Sequence, residues 1–181
     1  MRQYKITNNA TITVFKCDIT KLECDCIVNA ANRSLLGGGG VDGAIHYAAG
    51  PELYEECLTL GGCNTGEAKI TKGYDLKAKH IIHTVGPIYS GNKDDAVMLS
   101  NCYTNSLSLA KENDIHSIAF PAISTGIYGY PLHDACVVAI SAISEWIRNN
   151  PHYSISVILS CFDESTYNEY CGLCASVFPR L

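Results

Sequence analysis

The chain has 181 residues, of which 47% are hydrophobic and 17% charged, and its formal net charge is −5. This length suits one folded unit, so we treat residues 1–181 as a single domain. No apolar run approaches the roughly 18 residues that a membrane span needs, and the polar N-terminus has no secretory signal, so we expect a cytoplasmic protein. The scattered Lys and Arg residues do not form the basic face that binds long nucleic acids, although backbone N–H groups can bind a small anion.

Short apolar runs rich in β-branched residues predict buried strands. In chain order they cover 11–17, 26–31, 66–74, 80–85, 117–120 and 155–159. Apolar residues at helical spacing predict helices between them, over 41–49, 51–60, 96–113 and 132–148. This alternation predicts a three-layer α/β/α domain, whose ligand crevice lies beyond the carboxyl ends of the strands.

Ten cysteines are a high number for this length. Several lie within apolar runs, which suits reduced and buried thiols. Cys171 and Cys174 have the spacing of half a zinc site, but no second pair at finger spacing accompanies them. We therefore expect neither a disulfide framework nor a bound metal.

Two glycine-rich loops, 29–43 and 121–131, each follow a predicted buried strand and precede a predicted helix. Such a passage exposes backbone N–H groups and directs a helix N-terminus at whatever binds there. The alternatives are a flexible linker for the first loop and an ordinary turn for the second. A linker is disfavoured because the first loop joins a core strand to a helix. Together, two such loops from one sheet can clamp a diphosphate from both sides.

Residues 38–43 spell G-x-G-x-x-G, the dinucleotide-binding pattern. Six residues separate this pattern from its strand, whereas a Rossmann turn follows the strand at once. The chain also lacks the P-loop pattern and the Gly-x-Ser-x-Gly nucleophile pattern. A P-loop nucleotidase and a nucleophile-elbow hydrolase are therefore unsupported.

Three polar residues in or beside the first loop are candidates for chemistry. Asp42 is either an acid stabilised by a helix N-terminus or a group that orients or deprotonates a water. A carboxylate in an anion-binding loop repels phosphate, so binding alone does not explain it. Asn29 and Asn32 either satisfy backbone groups at the strand end or bind sugar hydroxyls.

Asp18 also ends a predicted strand, and it either caps the turn that follows or accepts a hydrogen bond from an exocyclic amine. His83 lies within an apolar strand and is interpreted as a core histidine. His46 can face either the core or the cleft, and the sequence leaves both possibilities open.

Several motifs in this order resemble the macrodomain family, and the long first motif resembles its MacroD-type branch. The motifs are Asp18-Ile19-Thr20 and the segments 27–32, 35–43, 48–51, 65–66, 82–87 and 122–131. The resemblance implies a three-layer α/β/α macrodomain fold with a mixed, mostly parallel sheet and ADP-ribose lying across its crest.

The resemblance also implies roles for twelve residues. Asn32 and Asp42 would be catalytic, facing the distal ribose and a water. Asp18 would bind the adenine amine, with a backbone contact from Ile19, and Phe162 would lie against the adenosine unless it is a core residue. The diphosphate would be held by Gly40, Val41, Ser124, Thr125, Gly126, Ile127 and Tyr128.

MacroD-type enzymes remove mono-ADP-ribose from acidic side chains and deacetylate O-acetyl-ADP-ribose, without a metal or cofactor. The resemblance thus implies an ADP-ribosyl-ester hydrolase, with ADP-ribose, O-acetyl-ADP-ribose and mono-ADP-ribosylated proteins as partners, and we expect a monomer. In such enzymes Asp42 would orient the water or act as its base. The alternatives are a non-catalytic ADP-ribose reader and, more distantly, a nicotinamide-dependent oxidoreductase. Two positions depart from the family pattern: Cys17 replaces a glycine, and Tyr47 stands where an arginine is common.

Overall fold

The computed structural model describes all 181 residues and contains one seven-stranded sheet. Its strands are β1 (Arg2–Lys5), β2 (Ala10–Lys16), β3 (Cys26–Ala30), β4 (Ala68–Lys72), β5 (His80–Thr84), β6 (Ser117–Phe120) and β7 (Ile155–Cys161). They lie in the order β1-β2-β7-β6-β3-β5-β4. The two outer pairings, β1 with β2 and β4 with β5, are antiparallel, and the four between them are parallel. The predicted mixed, mostly parallel sheet is confirmed.

Five helices cover the two faces of this sheet. They are α1 (Gly40–Ala49), α2 (Pro51–Leu60), α3 (Asp94–Glu112), α4 (Leu132–Asn149) and α5 (Glu164–Val177), and a 3-10 turn spans Ile19–Lys21. One core cluster joins α3, α4 and α5 to one face of the sheet, and a second joins α1 and α2 to the other. This arrangement confirms the predicted three-layer α/β/α architecture.

The strand period of two decides which core each side chain enters. In β3, Val28 packs in the cluster under α3, α4 and α5, whereas Ile27 packs under α1 and α2. In β5, Ile82 and Ile81 divide in the same way. The alternation places the polar residues that follow, Asn29 in β3 and His83 in β5, on the α1–α2 face.

The central parallel strands all end at the same edge of the sheet. Residues 17–20 follow β2, 31–39 follow β3, 121–131 follow β6, and 162–163 follow β7. Four loops therefore meet along one edge, which is where the sequence places the ligand crevice. No helix combines the length and the apolar character that crossing a lipid bilayer requires.

Three elements differ from what the sequence pattern predicts. β4 is shorter than 66–74 because Gly66 and Gly73 flank it, and Gly66 adopts a positive φ of 85°. β1 was not predicted, since Tyr4 is its one buried residue and the strand shows no apolar run. α5 is also absent from the predicted helices, because its apolar stripe is weak.

Two glycines should respond in opposite directions to substitution by alanine. A Cβ on Gly73 would lie 1.9 Å from the carbonyl oxygen of Ala78, so Gly73→Ala should lower the free energy of unfolding by about 2 kcal/mol. Gly172 lies in the exposed interior of α5 with open space around its Cβ position. Gly172→Ala should raise the free energy of unfolding by about 0.5–1 kcal/mol through helix propensity. Urea denaturation measures both, and a neutral Gly73→Ala would show that the turn rearranges freely.

Candidate functional site

A cleft of about 640 Å³ lies along the edge where the parallel strands end. Its lining comes from 17–20, from parts of 30–44, from Gly86, from 121–128 and from the segment after β7. All twelve residues that the sequence analysis selected line this one cleft. The structure thus brings together residues as far apart in the chain as Asp18 and Phe162, which are separated by 144 positions.

The first loop delivers the N-terminus of α1 to the floor of this cleft. Gly39 occupies the N-cap position without a side-chain hydrogen bond to the helix. The amides of Gly40, Val41 and Asp42 have no hydrogen-bond acceptor in the protein. Free amides at a helix N-terminus bind anions, and the helix dipole adds to the attraction.

The second loop offers a further group of free amides, because its side chains are turned inward. The Ser124 hydroxyl donates to the Pro87 carbonyl at 2.8 Å, and the Thr125 hydroxyl donates to the Ala122 carbonyl at 2.8 Å. The amides of residues 126–128 have no acceptor in the protein. The hydroxyls of Ser124 and Thr125 thus hold the backbone of this loop in shape.

Gly86 fixes the position of this second loop. A Cβ on Gly86 would lie 2.2 Å from the Ser124 hydroxyl and 2.6 Å from a methyl group of Ile123. Ser124 itself adopts a left-handed backbone with a φ of 66°. Two hydrogen bonds hold Ser124 in this conformation. Its hydroxyl donates to the Pro87 carbonyl, and its own carbonyl accepts from the amide of Tyr130 at 2.9 Å.

Asn32 and Asp42 approach each other across Gly38. A Cβ on Gly38 would lie 3.1 Å from Oδ2 of Asp42 and 3.3 Å from Nδ2 of Asn32. Asn32 also donates to the Gly37 carbonyl at 2.9 Å and accepts from the amide and hydroxyl of Ser34. Asn32 thus organises the loop as well as lining the cleft.

The surroundings of Asp42 act on its charge in opposite directions. Burial raises the pKa of this carboxyl, whereas the hydrogen bond from Asn29 and the nearby His46 lower it. The Asn29 amide donates to Oδ1 of Asp42 at 2.8 Å, and Nε2 of His46 lies 3.5 Å from the same oxygen. His46, which the sequence left ambiguous, therefore faces the carboxylate.

Asn29 has a role that the sequence analysis missed. It is completely buried and lies outside the cleft lining, so it reaches neither a sugar hydroxyl nor a loose backbone group. Its Nδ2 contacts Oδ1 of Asp42 and Nδ1 of His83. His83 is completely buried, as predicted for a core histidine. The one sequence signal that links Asn29 to the site is its position three residues before Asn32.

At the other end of the cleft, Asp18 caps the 3-10 turn. Its Oδ1 accepts from the amide and the hydroxyl of Thr20, at 2.9 and 2.7 Å, and this bonding lowers the pKa of Asp18. Its Oδ2 has no partner in the protein, so a ligand donor can bind there while the cap persists. Phe162 is 88% exposed at the end of β7, which excludes the alternative of a core phenylalanine.

The cysteines are all free thiols, and eight of the ten are buried. No group of three or more His, Cys, Asp or Glu side chains is arranged to hold a metal ion. Cys17, one of the two departures from the family pattern, is half-buried in the cleft wall with its sulfur 3.4 Å from the Ser160 hydroxyl. Burial raises the pKa of the Cys17 thiol.

Comparison with known proteins identifies the family of this site. The family model described as "Macro domain" matches residues 28–139. This chain belongs to the macrodomain family. A macro domain-containing protein of Chlorobaculum tepidum is 55% identical over 90% of this chain and 95% of its own length. Human MACROD2, named an ADP-ribose glycohydrolase, is 54% identical over 93% of this chain. The chain spans 40% of the length of that human relative.

Solved macrodomains share the fold closely. The Oceanobacillus iheyensis macrodomain with ADP has a TM-score of 0.91 and 43% identity, covering 98% of this chain and 95% of that one. The Trypanosoma brucei macrodomain in complex with ADP-ribose has a TM-score of 0.85 and 44% identity, covering 90% and 68%. These are structures of relatives that were solved with a diphosphate-containing nucleotide.

Substitution of Gly86 by alanine should weaken diphosphate binding indirectly, because the new methyl group would displace the second loop and not touch the ligand. Gly86→Ala displaces Ser124, so the amides of the second loop move away from their present directions. Each hydrogen bond between an amide and a charged group contributes about 1.5–3 kcal/mol, so we expect the affinity for ADP to fall by about tenfold or more. Calorimetric titration with ADP measures the loss, with Gly172→Ala as the control of unchanged affinity. Wild-type affinity in Gly86→Ala would show that the loop does not depend on this packing.

Proposed function

We propose that this chain binds ADP-ribose and hydrolyses the ester bond that links it to an acidic side chain of a protein or to acetate. One observation carries the proposal. Asn32 and Asp42 approach each other across Gly38, at the end of a cleft whose two loops present unpaired amides. The human relative's name, ADP-ribose glycohydrolase, supports hydrolysis of a bond to ADP-ribose, and the Trypanosoma brucei complex with ADP-ribose supports the binding.

Binding would rest on the two sets of free amides, one at the N-terminus of α1 and one at residues 126–128. They can neutralise a diphosphate without basic side chains, which agrees with the acidic net charge of the chain. Oδ2 of Asp18 is free to accept from the adenine amine, and the exposed ring of Phe162 can lie against the adenosine. The order of these groups along the cleft leaves the distal ribose at Asn32 and Asp42.

The reaction adds water across the acyl–oxygen linkage and releases ADP-ribose and a free carboxylic acid. Asp42 would hold the attacking water, whose proton leaves to this carboxylate or to the ligand's own phosphate. A carboxylate beside a diphosphate weakens ground-state binding, so a role in the reaction is the better explanation of its position. Asn29 supplies the hydrogen bond that favours the charged carboxylate despite its burial.

Free ADP-ribose should stabilise the fold. At a concentration about 100 times the dissociation constant, linkage adds roughly 2.7 kcal/mol to the free energy of unfolding. For a chain of this length, the melting temperature should rise by roughly 5–10 °C. AMP should give a smaller shift because it lacks the second phosphate and the distal ribose. Thermal unfolding with each ligand is the measurement, and no shift at millimolar ADP-ribose would exclude the proposed binding.

Asp42→Ala should separate catalysis from binding. Loss of the group that orients or deprotonates water should slow release of ADP-ribose from a glutamate-linked protein by about 10²–10⁴-fold. The affinity for ADP-ribose should hold or improve, because a repulsive charge next to the diphosphate is removed. Asn32→Ala should also slow release, with a larger loss of affinity, since its amide supports the first loop.

The test combines single-turnover release of ADP-ribose with calorimetric titration of ADP-ribose into the same variants. Asp18→Ala is the matched control, because it should weaken binding while leaving the rate at saturation nearly unchanged. If Asp42→Ala turns over at the wild-type rate, Asp42 serves only the start of α1. If the wild-type chain binds ADP-ribose tightly but releases none from acid-linked substrates, the chain is a non-catalytic reader.

A further inference from the structure

A buried polar chain runs behind Asp42, away from the cleft. It continues from Asn29 in β3 to His83 in β5 and Thr71 in β4. His83 is completely buried and Thr71 is 2% exposed, and neither lines the cleft. The reaction proposed above makes no use of either residue. Burial of an imidazole and a hydroxyl in an apolar core is unfavourable unless both are hydrogen-bonded.

One set of hydrogen-bond directions fits the whole chain. The Asp42 carboxylate only accepts, so Asn29 presents its amide nitrogen to it, and the same nitrogen faces Nδ1 of His83. This assignment places the ring proton on Nε2, 2.9 Å from the Thr71 hydroxyl, which in turn donates to the Lys72 carbonyl at 3.1 Å. Nδ1 is then unprotonated and accepts from Nδ2 of Asn29 at 3.2 Å. The second amide proton of Asn29 is directed to Oδ1 of Asp42 at 2.8 Å.

We propose that His83 is a positioning residue for the reaction, because it accepts from Asn29 and so keeps the Asn29 amide, rather than its carbonyl, facing Asp42. The inference rests on the proposed hydrolase function of Asp42. If the Asn29 side chain turned over, its oxygen would face the carboxylate oxygen and repel it. The neutral ring is essential, since a doubly protonated ring would repel the amide protons. Burial lowers the pKa of His83 to about 3, with a smaller effect from His46, so the ring is neutral at ordinary pH.

Few charged or titratable groups compete with this chain for control of Asp42. His46 faces it from the same helix, and the Cys57 thiol lies near it on α2. Lys21, in the 3-10 turn that contacts α1, is exposed. From the sheet, the group that reaches Asp42 is Asn29. Loss of its amide proton should therefore raise the pKa of Asp42 and shift the acidic limb of the activity profile to higher pH.

Two substitutions of one residue form the test. His83→Leu removes the acceptor for Asn29, whereas His83→Asn restores one, because its carboxamide oxygen is bonded to Cγ as Nδ1 is. We expect kcat for release of ADP-ribose from a glutamate-linked protein to fall about tenfold in His83→Leu, with KM unchanged. The acidic limb should move up by about one pH unit, and His83→Asn should recover most of both effects. Ile82→Val is the control for a loss of stability alone, because the Ile82 side chain packs in the core under α3, α4 and α5, away from Asn29 and Asp42.

Two NMR measurements test the same inference without an assay of catalytic activity. The Asp42 carboxyl ¹³C titration should have a higher midpoint in His83→Leu than in the wild type. The ¹⁵N spectrum of the wild-type ring should show the proton on Nε2. A ring proton on Nδ1, or an unchanged Asp42 midpoint in folded His83→Leu, overturns the inference, as do equal losses in the Leu and Asn variants. If His83→Leu does not fold, the wild-type ring spectrum and His83→Asn decide the question. A wild-type chain without turnover refutes the proposed function, while the Asp42 titration still tests the positioning.

Discussion

A buried carboxylate at the N-terminus of a helix is the interaction around which this site is built. Asp42 is 4% exposed and lies beside amides that have no acceptor in the protein. Such a group needs support for its negative charge that does not block the cleft. Asn29 provides it from the sheet, outside the cleft lining, and His46 lies beside the same oxygen. Because both groups contact Oδ1, the other carboxylate oxygen is free to face Gly38 and Asn32.

The sheet makes this arrangement possible because it places polar residues on chosen faces. β3 and β5 are parallel neighbours, and their register sets Asn29 beside His83. Both side chains then point toward α1 and α2, whose N-terminal turn carries Asp42. The loops are constrained separately, the first by Asn32 and the second by Gly86 and Ser124. The sheet thus orients the side chain of Asp42, whereas the loops position the free amides.

The sequence predicts the parts of this design that are local in the chain. Strand–glycine–helix passages predict both loops, and the motif from Asn29 to Gly43 places Asn32 and Asp42 at one of them. The contact between Asn29 and His83 joins residues 54 positions apart and depends on a strand register that no single segment encodes. The apolar residues beside His83 in the sequence therefore indicate only that it is a core residue. β1 was missed for a related reason, because its stability comes from pairing with β2 and not from its own polar sequence.

Thr71 lies on β4, the outermost strand on that side of the sheet. Edge strands open more readily than central ones, because they have a hydrogen-bonded neighbour on one side only. An opening of β4 would remove the acceptor from Nε2 of His83 while the loops that carry the free amides remain in place. If His83 positions Asn29 as proposed, the orientation of the Asp42 carboxylate is therefore coupled to local unfolding at the rim of the sheet.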